Sequence, residues 1–570
     1  MLTTCGCKVY ALKGVDTTAN ICYNKINSRI WCKFSDEDAE EERCVMEFSN
    51  SVYKIRTQAK LTQAQFAVLF DVTQQTVQKW ESGLAVPDMD KIVRIAKYFD
   101  VSLDALIMGN DNRSVEEMNK AKVLKPQYQN IHDWEFYSSN LNTEYTQSIE
   151  EGLDIEKYKD VFSSVSMLPK GEIKERLGNV LFDVVISASQ KAGYQYVEPS
   201  DLAQIQSLRR GEEQIPYDKI TLKSKIYGAW LGRACGCMLG KSVEGVRTHE
   251  LIPFLKETDN YPMHRYIVSS DIEKARLENY NFNFANRIYA DVIDGMPVDD
   301  DTNYTVLAQN LIERCGKNFT PCDVAKEWLD CQGKDAYCTA ERVAFCNFIK
   351  GYMPPQSAVY KNPYREWIGS QIRGDYFGYI NPGNPRLAAE MAWRDASISH
   401  VKNGIYGEMF IAAMLAIAAT TNDIEQIILG GLNEIPPASR LNCEILQILD
   451  GYKNGVTQKE CFETIHEKYD ENTSHGWCHT ISNAMIVVAS LLYGKGDYGK
   501  SICMAVETGF DTDCNGATVG SILGMANGVE SIDSVWSEPI NNKIHTTIFR
   551  SGTVNILDCV EKTIKHINEK

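Results

Sequence analysis

Two acidic clusters, more than two hundred residues apart, hold the side chains best suited to chemistry. The first is Asp299-Asp300-Asp301-Thr302 and the second is Asp511-Thr512-Asp513-Cys514. Carboxylates are hard oxygen donors that select Mg²⁺, Mn²⁺ or Ca²⁺ over zinc. One isolated Asp-x-Asp is explained by helix capping and by the helix dipole. Three consecutive acids over-supply any cap and repel one another, so a bound cation is the better account. If the two clusters meet, they make a binuclear site, and the chain is a candidate hydrolase rather than a plain binding protein.

The elements that must position these acids are helices. After the first cluster, Tyr304, Leu307, Ala308 and Leu311 recur at helical spacing. After the second come Gly516, Gly520, Gly524 and Gly528, one every four residues. A mid-helix glycine costs up to ~1 kcal/mol relative to alanine. The stripe therefore implies close approach of a neighbouring helix. The spacing predicts that this packing seats the Asp511–Asp513 end against the Asp299–Asp301 end. From about Thr221 to Lys570 the chain reads as many helices with short loops, so the expected fold class is all-α.

At 570 residues the chain is expected to hold several domains, since a single core rarely grows beyond ~250–300 residues. A 44% hydrophobic and 24% charged composition is that of a globular protein. The net charge of −17 argues against broad coating of nucleic acid but leaves room for a small DNA-reading module. The longest apolar stretches, Met409–Ala419 and Ala484–Leu492, fall short of the ~20 residues of a membrane span. No apolar signal region forms at the N-terminus. A cytoplasmic location without a membrane partner is expected, and the 18 cysteines are expected to be reduced thiols.

The expected organisation runs as follows: 1–48, a poorly structured extension containing Cys5, Cys7, Cys22, Cys32 and Cys44; 49–108, a compact helical module; 109–132, a polar linker; 133–220, a helical connecting region; 221–570, a large helical domain. In the connecting region Leu177, Val180, Leu181 and Val184 are expected to share one apolar helix face. Pro199-Ser200-Asp201 marks a further helix start.

The segment KLTQAQFAVLFDVTQQTVQKWESGLAVPD can be read physically. Thr62 and Gln65 form a capping box, and Phe66, Leu69 and Phe70 give an apolar face. Asp71-Val72 makes a tight corner. Thr73 then caps a short helix, Gln74–Glu81, with Val77 and Trp80 inward. Its exposed face is Gln74, Gln75, Thr76, Gln78 and Lys79, whose amides, hydroxyl and ammonium suit base edges and phosphates in a major groove. Residues 50–108 resemble the Xre/Cro-type helix-turn-helix of phage repressors, with Asp71 in a place where that family commonly has glycine. The resemblance implies that Gln63, Gln74, Gln75, Thr76 and Gln78 face double-stranded DNA and that the active form is a homodimer.

The larger region resembles the ADP-ribosylglycohydrolase family. The motifs carrying the resemblance are KIYGAWLGRACGCMLGKSVEG (225–245), DDDT, IGSQIRGDYFGYINPGNPRLAAEMAWRDASISH (368–400) and DTDC. Asp299 and Cys514 stand where the family usually has a hydroxyl residue, and Ile368 where many members have asparagine. The resemblance implies two Mg²⁺ ions, with Mn²⁺ as an alternative, held by Asp299, Asp300, Asp301, Asp511 and Asp513. It implies catalytic roles for Glu244, Asp300 and Asp301, with Glu244 as acid/base. Gly369, Ser370, Asp375, His400 and Cys514 are implied to line the ADP-ribose site. The implied activity is cleavage of the N- or O-glycosidic bond of an ADP-ribosylated protein, nucleic acid or small molecule. The alternative is a transcription regulator whose C-terminal domain senses ADP-ribose or a related ligand without turnover.

Overall fold

A computed structural model describes residues 38–108, 126–210 and 214–569. They form two compact units, one up to Gln127 and one from Tyr128 onward. The expected cysteines Cys5, Cys7, Cys22 and Cys32 lie outside the described residues, as does most of the expected linker (109–125).

The first unit is a bundle of helices: α1 (Asp38–Gln58), α2 (Gln63–Leu69), α3 (Gln74–Glu81), α4 (Met89–Tyr98) and α5 (Leu103–Met108). α1 crosses the boundary expected at residue 48, and Phe48 and Val52 are buried in the same core as Phe66, Phe70, Val77 and Trp80. The module therefore begins earlier than its sequence motif. The capping box of Thr62 and Gln65 forms, and Thr73 caps α3. Asp71 at the corner has φ +53°, a left-handed conformation that Asp tolerates better than most residues. Asp71→Ala is expected to destabilise this module by ~1 kcal/mol, while Asp71→Gly does not. Thermal unfolding of the two variants checks this, and equal stability would contradict it.

The second unit is built from helices, with strands among the described residues limited to one antiparallel pair. In it β1 (Lys543–His545) meets β2 (Thr553–Asn555), with Lys543 opposite Asn555. Its relevant helices are α6 (Leu141–Glu150), α7 (Glu172–Ser187), α8 (Leu202–Leu208), α9 (Leu222–Lys241), α10 (Asp300–Cys315), α11 (Thr480–Gly494) and α12 (Thr512–Asn527). Residues 133–220 are not a free-standing connector. Arg365 pairs with Glu144 at 2.8 Å and Glu151 at 2.6 Å, and Lys402 pairs with Glu151 at 2.7 Å. Arg440 pairs with Glu198 at 3.0 Å and Glu366 at 2.7 Å. Buried charges must be paired, and the pairs made by Glu144, Glu151 and Glu198 join 133–220 to the rest of the unit. Asp201 caps α8, as the Pro-Ser-Asp sequence suggests. The buried face of α7 is rotated from the expected one. Gly178, Leu181, Phe182 and Val185 are inside, whereas Leu177 and Val180 are 39% and 59% exposed. The cause is Gly178, which lets the helix close onto Ser138.

At the centre, α12 buries every residue from Thr512 to Ala526, as a helix surrounded on all sides does. Its glycine stripe meets α9, while its Asp513 end does meet the Asp299–Asp301 end, as the spacing predicts. α9 carries its own stripe, Gly228, Gly232, Gly236 and Gly240, and the two helices run antiparallel. A Cβ on Gly228 would lie 2.3 Å from the Gly524 carbonyl oxygen, one on Gly232 2.3 Å from that of Gly520, and one on Gly236 2.0 Å from that of Gly516. Gly528 closes the stripe, and a Cβ on Gly228 would lie 2.8 Å from its carbonyl carbon. It ends α12 at φ +83°.

Candidate active site

The antiparallel pairing places the C-terminal end of α9 beside the N-terminal end of α12. The Thr512 hydroxyl donates to the Gly240 carbonyl at 2.9 Å. Arg233, Cys237 and Lys241 recur every four residues on α9 and so share one face. Arg233 donates to the Asp301 carbonyl through Nε (3.1 Å) and Nη2 (3.0 Å), and to Asp301 Oδ1 at 2.9 Å. Its Nη1 lies 2.9 Å from Asp375 Oδ2. Lys241 Nζ donates to Asp299 Oδ2 at 2.7 Å. α9 therefore holds α12 with its glycines and the mouth of α10 with its cations. The two acidic clusters meet because both dock on this third helix.

Asp299 caps α10, accepting from the Asp301 amide at 3.0 Å. Asp299, Asp300, Asp301 and Asp513 each offer an oxygen, all within 4.8 Å of one another. Asp511, Asp513 and Cys514 form a second such group, and Cys237, Asp299 and Asp301 a third. Asp301 Oδ2 and Asp513 Oδ1 are buried with no hydrogen-bond partner among the described residues. Unpartnered buried carboxylate oxygens are costly, and a divalent cation is the group that satisfies them. The donor set fits such an ion.

Burial and mutual repulsion raise the pKa values of Asp300, Asp301 and Asp513 well above the usual carboxylate range, and bring Asp511 up to about 7. Burial and the nearby Asp299 also raise Glu244. With divalent ions chelated, Asp511 keeps its proton in the fold up to about pH 7. In the unfolded chain it loses that proton near pH ~3.9. The native state thus holds more protons between about pH 4 and pH 7, and stability falls as pH rises through that window. Added Mg²⁺ favours the ionised form and is expected to remove this fall. Unfolding curves from pH 4 to pH 8, with chelator and with Mg²⁺, check the expectation. An identical pH dependence in both would contradict it.

Of the other expected site residues, Glu244 borders the acidic cluster, near enough for its charge to act on Asp300, Asp511 and Asp513. Glu244 is half-buried, with 38% of its side chain exposed, and has Arg287 at 3.9 Å. Gly369 is pressed against Glu341, where a Cβ would lie 2.1 Å from Oε1. Ser370 is buried and donates to the Gly404 carbonyl at 2.6 Å, so its hydroxyl is committed inside the fold. Asp375 is buried on Arg233 and reaches the acidic cluster only through that guanidinium. His400 is buried beside Ser399, its Nδ1 2.8 Å from that hydroxyl, and lines an apolar cavity of about 660 Å³ with Tyr360, Trp393 and Ile405. Ser370 and Asp375 thus make buried internal contacts, while His400 borders a cavity. Tyr376 and Phe377 are likewise core residues.

In a second cluster of ligand-type side chains, Glu150, His475 and His479, the Nδ1 atom of each histidine is taken by a protein donor. The Trp367 indole N–H donates to His475 Nδ1 and the Ile481 amide donates to His479 Nδ1, both at 3.1 Å. Each neutral ring therefore carries its proton on Nε2. These nitrogens lie 3.0 Å and 3.5 Å from Glu150 Oε2. A metal would need their lone pairs there.

In the first unit, Gln74, Gln75, Gln78 and Lys79 are exposed on α3, and Thr76 is half-buried with its hydroxyl 2.8 Å from that of Thr73. Gln63 departs from the expected free face. Its amide donates to Glu81 at 2.7 Å, and Glu81 is paired with Arg56.

Sequence reasoning missed Arg233, Lys241 and Cys237. Their signal was present as two cations and a thiol at four-residue spacing, one position after the last three glycines of a second stripe.

An all-helical body around a buried cluster of aspartates at two helix N-termini defines the class of protein. The chain belongs to the ADP-ribosylglycohydrolase family, whose sequence model matches residues 218–563. A helix-turn-helix family model matches residues 52–106. Over 87 residues the chain is 34% identical to the HTH-type transcriptional activator BcrR of Enterococcus faecalis, covering 15% of this chain and 43% of that protein. Over 77 residues it is 36% identical to the uncharacterized HTH-type transcriptional regulator YqaE of Bacillus subtilis, covering 14% and 66%. The chain thus spans only about half of the curated relatives it matches. A solved structure described as an ADP-ribosylglycohydrolase-related protein complex aligns with a TM-score of 0.39 at 17% identity, covering 61% of this chain and 98% of that one. No helix among the described residues is long and apolar enough to cross a membrane.

Proposed function

We propose that the protein is a divalent-metal-dependent hydrolase that releases ADP-ribose from an N- or O-glycosidic linkage and is tethered to DNA through its helix-turn-helix. The carrying observation is the convergence of Asp299–Asp301 with Asp511 and Asp513, including two buried carboxylate oxygens without partners. Asp299, Asp300, Asp301, Asp511 and Asp513 would hold two ions, Mg²⁺ or Mn²⁺. When bound, such ions supply Lewis-acid stabilisation of charge on sugar oxygens.

The chain's own residues do the rest. Arg233 fixes Asp301 through three hydrogen bonds, and Lys241 fixes Asp299. Glu244 is partly exposed and its raised pKa lets it hold a proton for the departing group. Cleavage of a glycosidic bond develops positive charge at the sugar, which an acidic surround favours. Incubation with ADP-ribosyl-arginine, followed by chromatography of free ADP-ribose, tests the reading. Mg²⁺-dependent release that chelator stops supports it, and release untouched by chelator sinks the metal mechanism.

On the DNA side, α3 presents Gln74, Gln75, Gln78 and Lys79 to a major groove, most simply as a homodimer acting in the cytoplasm on its own regulatory DNA. Lys79→Ala is expected to lower the salt slope of DNA binding by ~1, and an unchanged slope would remove Lys79 from the interface.

A second reading is favoured by the Lys241–Asp299 pair, which already neutralises one carboxylate. In that reading the domain senses ADP-ribose or a related ligand and regulates transcription without turnover. Stoichiometric binding of ADP-ribose with no product from ADP-ribosylated substrates would decide for it.

A further inference from the structure

We propose that Cys514 is itself a metal ligand, so that the Asp511–Asp513 side of the site takes a thiophilic divalent ion of the zinc and cobalt class in preference to Mg²⁺. The inference rests on the reading that the acidic clusters bind metal.

Asp511 occupies the N-cap position of α12 without a side-chain capping bond, and Asp513 and Cys514 follow in its first turn. The cap and the third helical residue lie on the same side of that turn. One ligand atom from each of Asp511, Asp513 and Cys514 lies within 4.8 Å of the others. Sulfur and oxygen ligands of a tetrahedral ion, at bond lengths of ~2.3 and ~2.1 Å, stand about 3.6 Å apart, so side-chain rotation closes the site without moving the helix. Cys514 is only 4% exposed, so its thiol is enclosed with the acids it groups with.

An independent observation points to a ligand at this place. Asp513 Oδ1 is buried with no hydrogen-bond partner, and so is Asp301 Oδ2 across the site. Two further thiols border the same acids. Cys237 groups with Asp299 and Asp301, and Cys478 Sγ is 4.0 Å from Asp511 Oδ2.

An all-carboxylate cage suits Mg²⁺, which prefers six oxygens and gives up water reluctantly. Replacing one oxygen donor by a thiolate moves the preference toward Zn²⁺ and Co²⁺. On binding, the Cys514 proton leaves to solvent and the thiolate sulfur donates to the ion.

The test uses the full-length protein, stripped with chelator and titrated with Co²⁺, and its Cys514→Ser variant, with circular dichroism confirming that both are folded. The wild type is expected to show a sulfur-to-cobalt charge-transfer band in the near ultraviolet. In the variant that band is lost while Co²⁺ still binds, as its visible bands report. Zn²⁺ displaces Co²⁺ near equivalence in the wild type, and the preference for Zn²⁺ over Mg²⁺ drops about tenfold or more in the variant. Co²⁺ bound to the wild type without the band, or a band that persists in Cys514→Ser, overturns the assignment of Cys514 and leaves the carboxylate site standing. Failure of Co²⁺, Zn²⁺ and Mg²⁺ all to bind overturns both this inference and the metal-dependent function beneath it.

Discussion

Asp301→Asn is expected to lower kcat/KM for ADP-ribose release by ~10³-fold or more, with the fold retained. Asp301 belongs to both ligand groups built on the first cluster, and one of its oxygens has no protein partner among the described residues. Its other oxygen and its carbonyl accept from Arg233. The amide of Asn keeps the shape and an acceptor for Arg233 but loses the charge an ion needs. Asp301→Ala is expected to lose activity equally and also ~3–5 kcal/mol of stability, because Arg233 is left partly unpaired in the interior. Asp513→Asn separates the two effects. Asp513 Oδ1 satisfies no protein donor, and the charge on Asp513 repels its neighbours in the absence of metal. Turnover is therefore lost, while the chelated protein unfolds at the same or a higher temperature than wild type. Retained turnover in both Asn variants would remove these carboxylates from the reaction.

Gly236→Ala is expected to cost about 3 kcal/mol or more and to abolish activity although it removes no charged group. The added Cβ would lie 2.0 Å from the Gly516 carbonyl oxygen and 2.6 Å from its carbon. Those atoms are backbone and cannot rotate away, so the strain exceeds the ~1–3 kcal/mol usual for an overpacked core. The helices must part or slide, and either movement draws the Asp511–Asp513 end of α12 from the Asp299–Asp301 end of α10. Gly333→Ala is the control. Its Cβ meets nothing within 4 Å among the described residues, so stability changes by less than about 0.5 kcal/mol. Denaturant unfolding of both variants checks this, and equal stability would mean that α9 and α12 are not packed backbone to backbone.

Local signals in the sequence reached far. The Thr62–Gln65 capping box, the Thr73 cap and the inward Val77 and Trp80 all depend on residues within a few positions of one another, and the structure has them as expected. The same holds for Asp299 and Asp511 at helix starts. What depends on partners distant in the chain was less legible. The glycine stripe of α12 announces a close neighbour but does not say which helix it is. The answer lay in a second stripe on α9, matched in period and opposite in direction. Ser370, Asp375 and His400 are polar residues in a motif region, and polarity alone does not separate a ligand contact from a buried internal bond. Residues 133–220 offered no chemical motif, yet Glu144, Glu151 and Glu198 bind them into the larger unit through arginines and a lysine more than two hundred residues away.

The central claim is that the two acidic clusters are halves of one divalent-cation site, and anomalous diffraction from a crystal of the full-length protein soaked in Mn²⁺ tests it most directly. The account predicts anomalous density bounded by Asp299 and Asp301 on one side and by Asp511 and Asp513 on the other, with Lys241 still on Asp299 or displaced from it. Ordered carboxylates with no anomalous density between them, at a manganese concentration that supports turnover, would contradict it.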